Sequence, residues 1–129
     1  MREILFRGKR KDNGRWVEGE LRRGGVHSDS EVYIRFKDYR ALFNLPVDPE
    51  TVGQFTGLTD ENGKKIFEGD VVKGVRDFSN VNFVGYVVWG NGCFDVQDVK
   101  TKSVPAIDLV RKLEVIGNIH DNPELLKEG

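Results

Sequence analysis

Three Asn-Gly dipeptides, Asn13-Gly14, Asn62-Gly63 and Asn91-Gly92, each interrupt a stretch of strand-like composition in this 129-residue chain. Asn-Gly readily supplies the positive φ angles of a two-residue type I′ turn, so each dipeptide predicts a tight β-hairpin and commits its flanks to antiparallel pairing. Glycine is frequent throughout, 15 residues in all, while four prolines are too few for a low-complexity linker.

A two-residue turn fixes a register that can be checked against the side chains. Around Asn13-Gly14 it sets Asp12 opposite Arg15, Lys9 opposite Glu18, Arg7 opposite Glu20 and Phe6 opposite Leu21. Opposite charges facing across a ladder each contribute a few tenths of a kcal/mol, and a one-residue slip would turn every side chain to the wrong face. Around Asn62-Gly63 it sets Glu61 against Lys64, Asp60 against Lys65 and Leu58 against Phe67. Around Asn91-Gly92, Trp89 meets Phe94 and Val87 meets Val96 on an apolar face, with Tyr86 against Gln97 and Val88 against Asp95 on the other. A three-residue loop with a bulge is an alternative at each turn and shifts the pairing by one on one side.

Further strands are expected at Val32–Phe36, Asp70–Val75 and Glu114–Ile119, from their β-branched and aromatic content. Helix is scarce. Pro105–Leu109 suits one or two turns with Ser103 as cap, Asp48-Pro49-Glu50-Thr51 a single turn, and Asn122-Pro123-Glu124 opens a short C-terminal helix. Segments 24–31 and 76–82 have loop composition. Six to eight short antiparallel strands at this length describe a small barrel or sandwich.

Composition excludes several functional classes. Twenty Lys and Arg face 21 Asp and Glu, so the chain is neither polybasic nor acidic. One cysteine, Cys93, rules out an intrachain disulfide and points to a reducing, cytoplasmic setting. No stretch has the length of a signal peptide or the ~18 apolar residues of a membrane span, so no membrane partner is expected.

Chemistry-bearing motifs are incomplete. Between Gly57 and Gly63 five residues intervene where a phosphate loop needs four, and Lys64 is followed by Lys65 instead of a magnesium-binding hydroxyl. Asp60 and Asn62 start like a calcium loop, but the glycine comes two positions early. His27, His120 and Cys93 are too few for a closed zinc site, so no metal and no cofactor is expected. Glu68 and Asp70, two apart on a strand face, are the carboxylate pair to inspect for acid–base work, with a polar strand entry as the plainer reading. No catalytic set emerges.

Charge is distributed unevenly. Residues 1–40 carry a net +4 and residues 41–129 a net −5. The hairpin register gives Arg7, Lys9 and Arg15 acidic partners, which leaves Arg10, Lys11, Arg22 and Arg23, with Trp16 as a stacking platform, as a candidate nucleic-acid surface. Four free charges bind nucleic acid weakly at physiological salt, and docking of the positive half on the negative half is a competing use of the same charges. Between Tyr33 and Leu45, Tyr33, Tyr39, Leu42 and Phe43 sit among charges as a candidate interface strip.

The run from Asp48 through Val52-Gly53-Gln54-Phe55-Thr56-Gly57-Leu58 to Ile66-Phe67-Glu68-Gly69-Asp70-Val71-Val72 resembles the YopX-like family of phage and prophage proteins. Arg7-Gly8-Lys9 with Trp16 and Gly19 at one end, and Glu114–Ile119 with Asn122-Pro123-Glu124-Leu125-Leu126 at the other, resemble the family's two ends. The resemblance implies a small, mainly β, self-associating protein with an SH3-like barrel as its main element. Joined to the hairpins and helix read from the residues, this gives one YopX-like domain over residues 1–129, with an N-terminal hairpin and arm (1–47), a small antiparallel barrel (48–129) and a short C-terminal helix. The resemblance brings no reaction, cofactor or functional residue. The resulting expectation is a non-enzymatic, phage-encoded interaction module in the cytoplasm of a bacterial host. Its partners are copies of itself or a phage or host protein, with nucleic-acid binding through the basic hairpin as the alternative.

Overall fold

The computed structural model describes residues 4–24, 31–38, 41–76, 80–90 and 92–127, apart from the side chains of 36–38 and 41–43. It divides into two compact units, residues 1–55 and 56–129. All strand pairings are antiparallel, and no α-helix occurs among the described residues.

The first unit contains β1 (Phe6–Lys9), β2 (Trp16–Arg23), β3 (Val32–Asp38), β4 (Ala41–Pro46) and the start of β5 (Gly53–Thr59), in the order β4-β3-β2-β1-β5. The β1–β2 hairpin forms with a register different from the expected one: Arg7 faces Glu18 and Lys9 faces Trp16. Only Gly14 adopts positive φ, at 70°, whereas a type I′ turn demands it at Asn13 as well. Asn13 instead accepts the Arg15 N–H at 2.9 Å, and Arg10 N–H bonds to Arg15 C=O at 2.9 Å, leaving a four-residue loop, 11–14. Cross-strand partners therefore move by two. Because the side-chain period is also two, every residue keeps its face.

That conservation of faces builds the unit's core. Phe6, Val17, Leu21 and Val52 pack against the buried Val32, Ile34 and Val47, while Arg7, Lys9, Trp16, Glu18, Glu20 and Arg22 alternate onto the opposite, polar face. The turn at Asp48-Pro49-Glu50-Thr51 forms as expected, a 3₁₀ turn over Pro49–Thr51 whose Asp48 carboxylate accepts the Glu50 N–H at 3.1 Å. Strand β4 was not foreseen, because no Asn-Gly marks the reversal between Asp38 and Ala41.

The second unit contains the rest of β5, β6 (Lys65–Phe67), β7 (Asp70–Arg76), β8 (Asn82–Trp89), β9 (Phe94–Asp98) and β10 (Val110–Asn118). Strands β7 to β10 form a sheet in the order β10-β7-β8-β9. The β8–β9 register is the expected one at every predicted pair, with the Trp89 and Phe94 rings edge to face at 4.7 Å. At Asn62-Gly63 the bulged alternative wins. Gly63, at φ 79°, donates to Asp60 C=O, and Asp60 N–H bonds to Lys64 C=O, so Asp60 closes on Lys64 instead of Lys65. One sheet face carries the core, with Val72, Phe83, Val87, Phe94, Val96 and Leu113 among its buried residues. Burying each such side chain fully contributes about 1.5–3 kcal/mol.

No closed barrel forms among the described residues, which corrects the expected SH3-like barrel to two antiparallel sheets. The reason lies in how the edges of the second sheet are occupied. The outer edge of β9 is taken by the returning chain, with Val96 N–H on Pro105 C=O at 2.9 Å and Asp98 N–H on Ser103 C=O at 2.8 Å. The outer edge of β10 is taken by the β5–β6 turn, with Glu61 N–H on Leu113 C=O at 3.0 Å and Val115 N–H on the Asp60 carboxylate at 2.9 Å. With both edges filled, β9 and β10 do not pair with each other.

The expected helices shrink to single 3₁₀ turns. Residues 107–109 form one behind Ala106, and Ser103 is no cap: its hydroxyl bonds to Arg76 and meets Thr101. The expected C-terminal helix is the 3₁₀ turn Pro123–Leu126, held by Leu125 N–H on Asn122 C=O and Lys127 N–H on Glu124 C=O. Proline fixes the first φ, but so short a run gains too few bonds to propagate an α-helix.

Candidate interaction site

Of the cations proposed for nucleic acid, the structure pairs two and disperses the others. Arg10 makes a bidentate contact with Asp12, at 2.9 and 2.6 Å, which lowers the Asp12 pKa chiefly through that hydrogen bond. Arg22 lies 3.5 Å from Glu20 on the same face of β2. Lys11 and Arg23 make no ion pair among the described residues, nor does Arg15, whose expected partner Asp12 is taken by Arg10. Lys11 and Arg15 border the hairpin loop, while Arg23 stands at the far end of β2, roughly 26 Å from Arg15 at the rise of an extended strand, and alternates onto the face opposite Arg22.

Trp16, the intended stacking platform, is already engaged by its own hairpin. The Arg7 guanidinium sits 4.7 Å and the Lys9 ammonium 5.6 Å from its ring centroid, within cation–π range. The register explains this, since Lys9 is the cross-strand partner of Trp16 and Arg7 lies two residues along the same face.

The interface strip resolves into a hairpin. Tyr33 stands on β3 opposite Pro46, half-buried, and its hydroxyl donates to the Glu31 carboxylate, which raises the Tyr33 pKa above its ordinary value. Leu42 and Phe43 lie on β4 opposite Lys37 and Phe36, with side chains outside the described residues, and Tyr39 lies outside them altogether.

Strand β4 offers something the sequence did not show. Val47 N–H bonds to Val32 C=O at 3.1 Å, which fixes the alternation of the β3–β4 ladder: 34/45, 36/43 and 38/41 exchange hydrogen bonds, and 33/46, 35/44 and 37/42 do not. The backbone groups of Leu42, Asn44 and Pro46 therefore point away from β3. Lys11 N–H takes Pro46 C=O at 3.0 Å, Asp48 N–H reaches Lys9 C=O at 2.9 Å, and Arg10 bridges Val47, so the β1–β2 hairpin covers this edge at its far end. From Ala41 to Asn44 the edge has no backbone partner among the described residues.

The catalytic candidates do not assemble. Asp70 is 1 % exposed and its carboxylate accepts Phe67 N–H at 2.8 Å, closing the turn into β7, while Glu68 is half-buried within that turn. Cys93 is exposed, and its hydrogen bond to Asp95 at 3.3 Å raises the thiol pKa, the opposite of activation. His120 N–H bonds to the Asn118 side chain in the turn after β10, and His27 lies outside the described residues. No group of three His, Cys, Asp or Glu able to hold a metal occurs among the described residues, and none of their helices is long and apolar enough to cross a membrane.

These features define a small all-β protein built from hairpins, with sheet edges and faces as its distinctive surfaces. A family model described as YopX protein matches residues 5–127. The chain belongs to the YopX family. Its fold is similar to the crystal structure of EF1440 from Enterococcus faecalis, at 23 % identity over 98 % of this chain and 100 % of that one, with a TM-score of 0.56. It is similar also to that of yopX from Bacillus subtilis, at 17 % identity over 100 % and 99 % of the two chains, with a TM-score of 0.60. At such identities the likeness shows the fold. No curated protein matches the chain.

Proposed function

We propose that the protein is a non-enzymatic interaction module, encoded by a phage or prophage and working in the bacterial cytoplasm, that self-associates through the open edge of β4. The single observation behind this reading is the contrast between edges. Both outer strands of the second unit's sheet have partners, β9 from returning backbone and β10 from Glu61 N–H and the Asp60 carboxylate, whereas β4 leaves Leu42 and Asn44 with outward-pointing N–H and C=O groups. A natural edge of this kind is usually blunted by charge or a bulge, yet Ala41-Leu42-Phe43-Asn44-Leu45 carries neither.

A second copy satisfies these groups symmetrically. Two antiparallel β4 strands related by a two-fold at Phe43 place Leu42 opposite Asn44 of the other copy, and Asn44 opposite its Leu42. This register gives four backbone hydrogen bonds through one self-complementary patch. Light scattering tests it: the 14.7 kDa chain gives a concentration-dependent dimer mass at tens of micromolar, and Asn44→Pro gives a monomer. Proline is tolerated where the N–H points outward from an edge strand, so this variant keeps the fold. A monomeric wild-type protein at 100 µM, or a dimer that Asn44→Pro leaves unchanged, overturns the proposal.

Nucleic-acid binding through the N-terminal hairpin is the weaker reading, because Arg10, Arg22 and Trp16 have intramolecular partners.

A further inference from the structure

The second unit carries a groove of about 790 Å³ on the sheet face opposite its core. Its apolar lining includes Val75 on β7, Val84 on β8, Val99 just after β9, Ile116 on β10 and Leu125 in the last 3₁₀ turn. The alternation that turns Val72 and Phe83 inward turns Val75 and Val84 out, so an aliphatic strip lies where a two-layer protein ordinarily presents polar groups. The volume falls within the usual range of ligand sites.

The charge around this strip contrasts with its surroundings. Residues 56–129 carry nine Lys and Arg against twelve Asp and Glu, yet the groove is lined by five cations and three acids. Two of the cations are committed: Lys73 to Glu114 at 3.0 Å and Arg76 to Asp98 at 3.0 Å. The ammonium groups of Lys100, Lys112 and Lys127 make no ion pair among the described residues. An aliphatic floor with three uncommitted ammonium groups complements a ligand that is acidic and aliphatic at once.

We infer that this groove binds an extended acidic peptide segment bearing aliphatic side chains. It crosses four strands, three inter-strand spacings or roughly 14 Å, which matches about four extended residues. Nucleic acid fits less well. The aromatic residue of the lining, Phe83, is buried and has the Arg76 guanidinium 5.2 Å from its ring centroid, so bases find no free platform.

The test is fluorescence anisotropy with a fluorescein-labelled octapeptide alternating Glu with Leu and Val, at 50 mM salt. Saturable binding is expected, weakened at least tenfold by Lys112→Glu with Lys127→Glu, weakened by 300 mM salt, and absent for the same peptide with Lys in place of Glu. Lys127→Glu alone, close to the chain end, gives a smaller loss in the same direction and guards against misfolding of the double variant. Absent binding at 50 mM salt, binding indifferent to both variants, or displacement of the peptide by a single-stranded thymidine 20-mer overturns the inference. Asn44→Pro leaves peptide binding unchanged, which separates this outcome from that of self-association.

Discussion

Asp60 illustrates how much organisation one buried carboxylate can carry. One of its oxygens accepts the N–H groups of Asn62 and Lys64, both at 2.9 Å, and the other accepts Val115 N–H at 2.9 Å, so a single side chain shapes the β5–β6 turn and fastens it to β10. Burial works to raise its pKa, and the Val115, Lys64 and Asn62 N–H groups together outweigh that and lower it. A carboxyl whose folded pKa lies below its unfolded value, about 4, contributes stability that is present above that value and lost as pH falls through the folded one. Asp60→Asn turns an amide N–H₂ toward a backbone donor and costs about 1–3 kcal/mol at pH 7. Urea denaturation at pH 7 and pH 3 checks both parts, with the gap between wild type and variant narrowing at the lower pH. Only the local part of this is legible in the sequence. The local acid-and-turn pattern was visible at Asp60-Glu61-Asn62-Gly63, but its third contact comes from 55 residues away.

The three hairpins separate what a sequence specifies from what it leaves open. At β8–β9, Val87 with Val96 and Trp89 with Phe94 form an apolar face, and that face admits the single predicted register. At β1–β2 the charges repeat with the strand's own period, so Arg7 finds an acid whether it faces Glu20, as expected, or Glu18, as observed. Charge matching cannot choose between registers two apart, and turn geometry decides. The local determinant is Asn13, which keeps a negative φ and accepts the Arg15 N–H on its side chain, with the left-handed Gly14 completing the longer loop. Gly14→Ala costs about 1–2 kcal/mol for a left-handed non-glycine residue, measured by chemical denaturation, with the Arg7–Glu18 register retained in backbone amide cross-strand contacts. Strand β3 forms where Val32–Phe36 is expected, but β4 escapes detection because apolar composition alone does not distinguish a strand from an interface strip. Leu42 and Phe43, named as interface candidates, lie on β4, and the open backbone beside them becomes visible only with the ladder's hydrogen-bond alternation.

For the whole molecule, the central claim is that two copies join at β4 about Phe43. Amide hydrogen exchange of Leu42 and Asn44, followed by NMR as the protein is concentrated, reads that contact at the atoms involved. We predict exchange near the unprotected rate when the protein is dilute, with protection of both amides rising in step with the dimer mass from light scattering. A dimer that forms while both amides keep exchanging as fast as in the dilute protein would contradict the account and move the interface elsewhere.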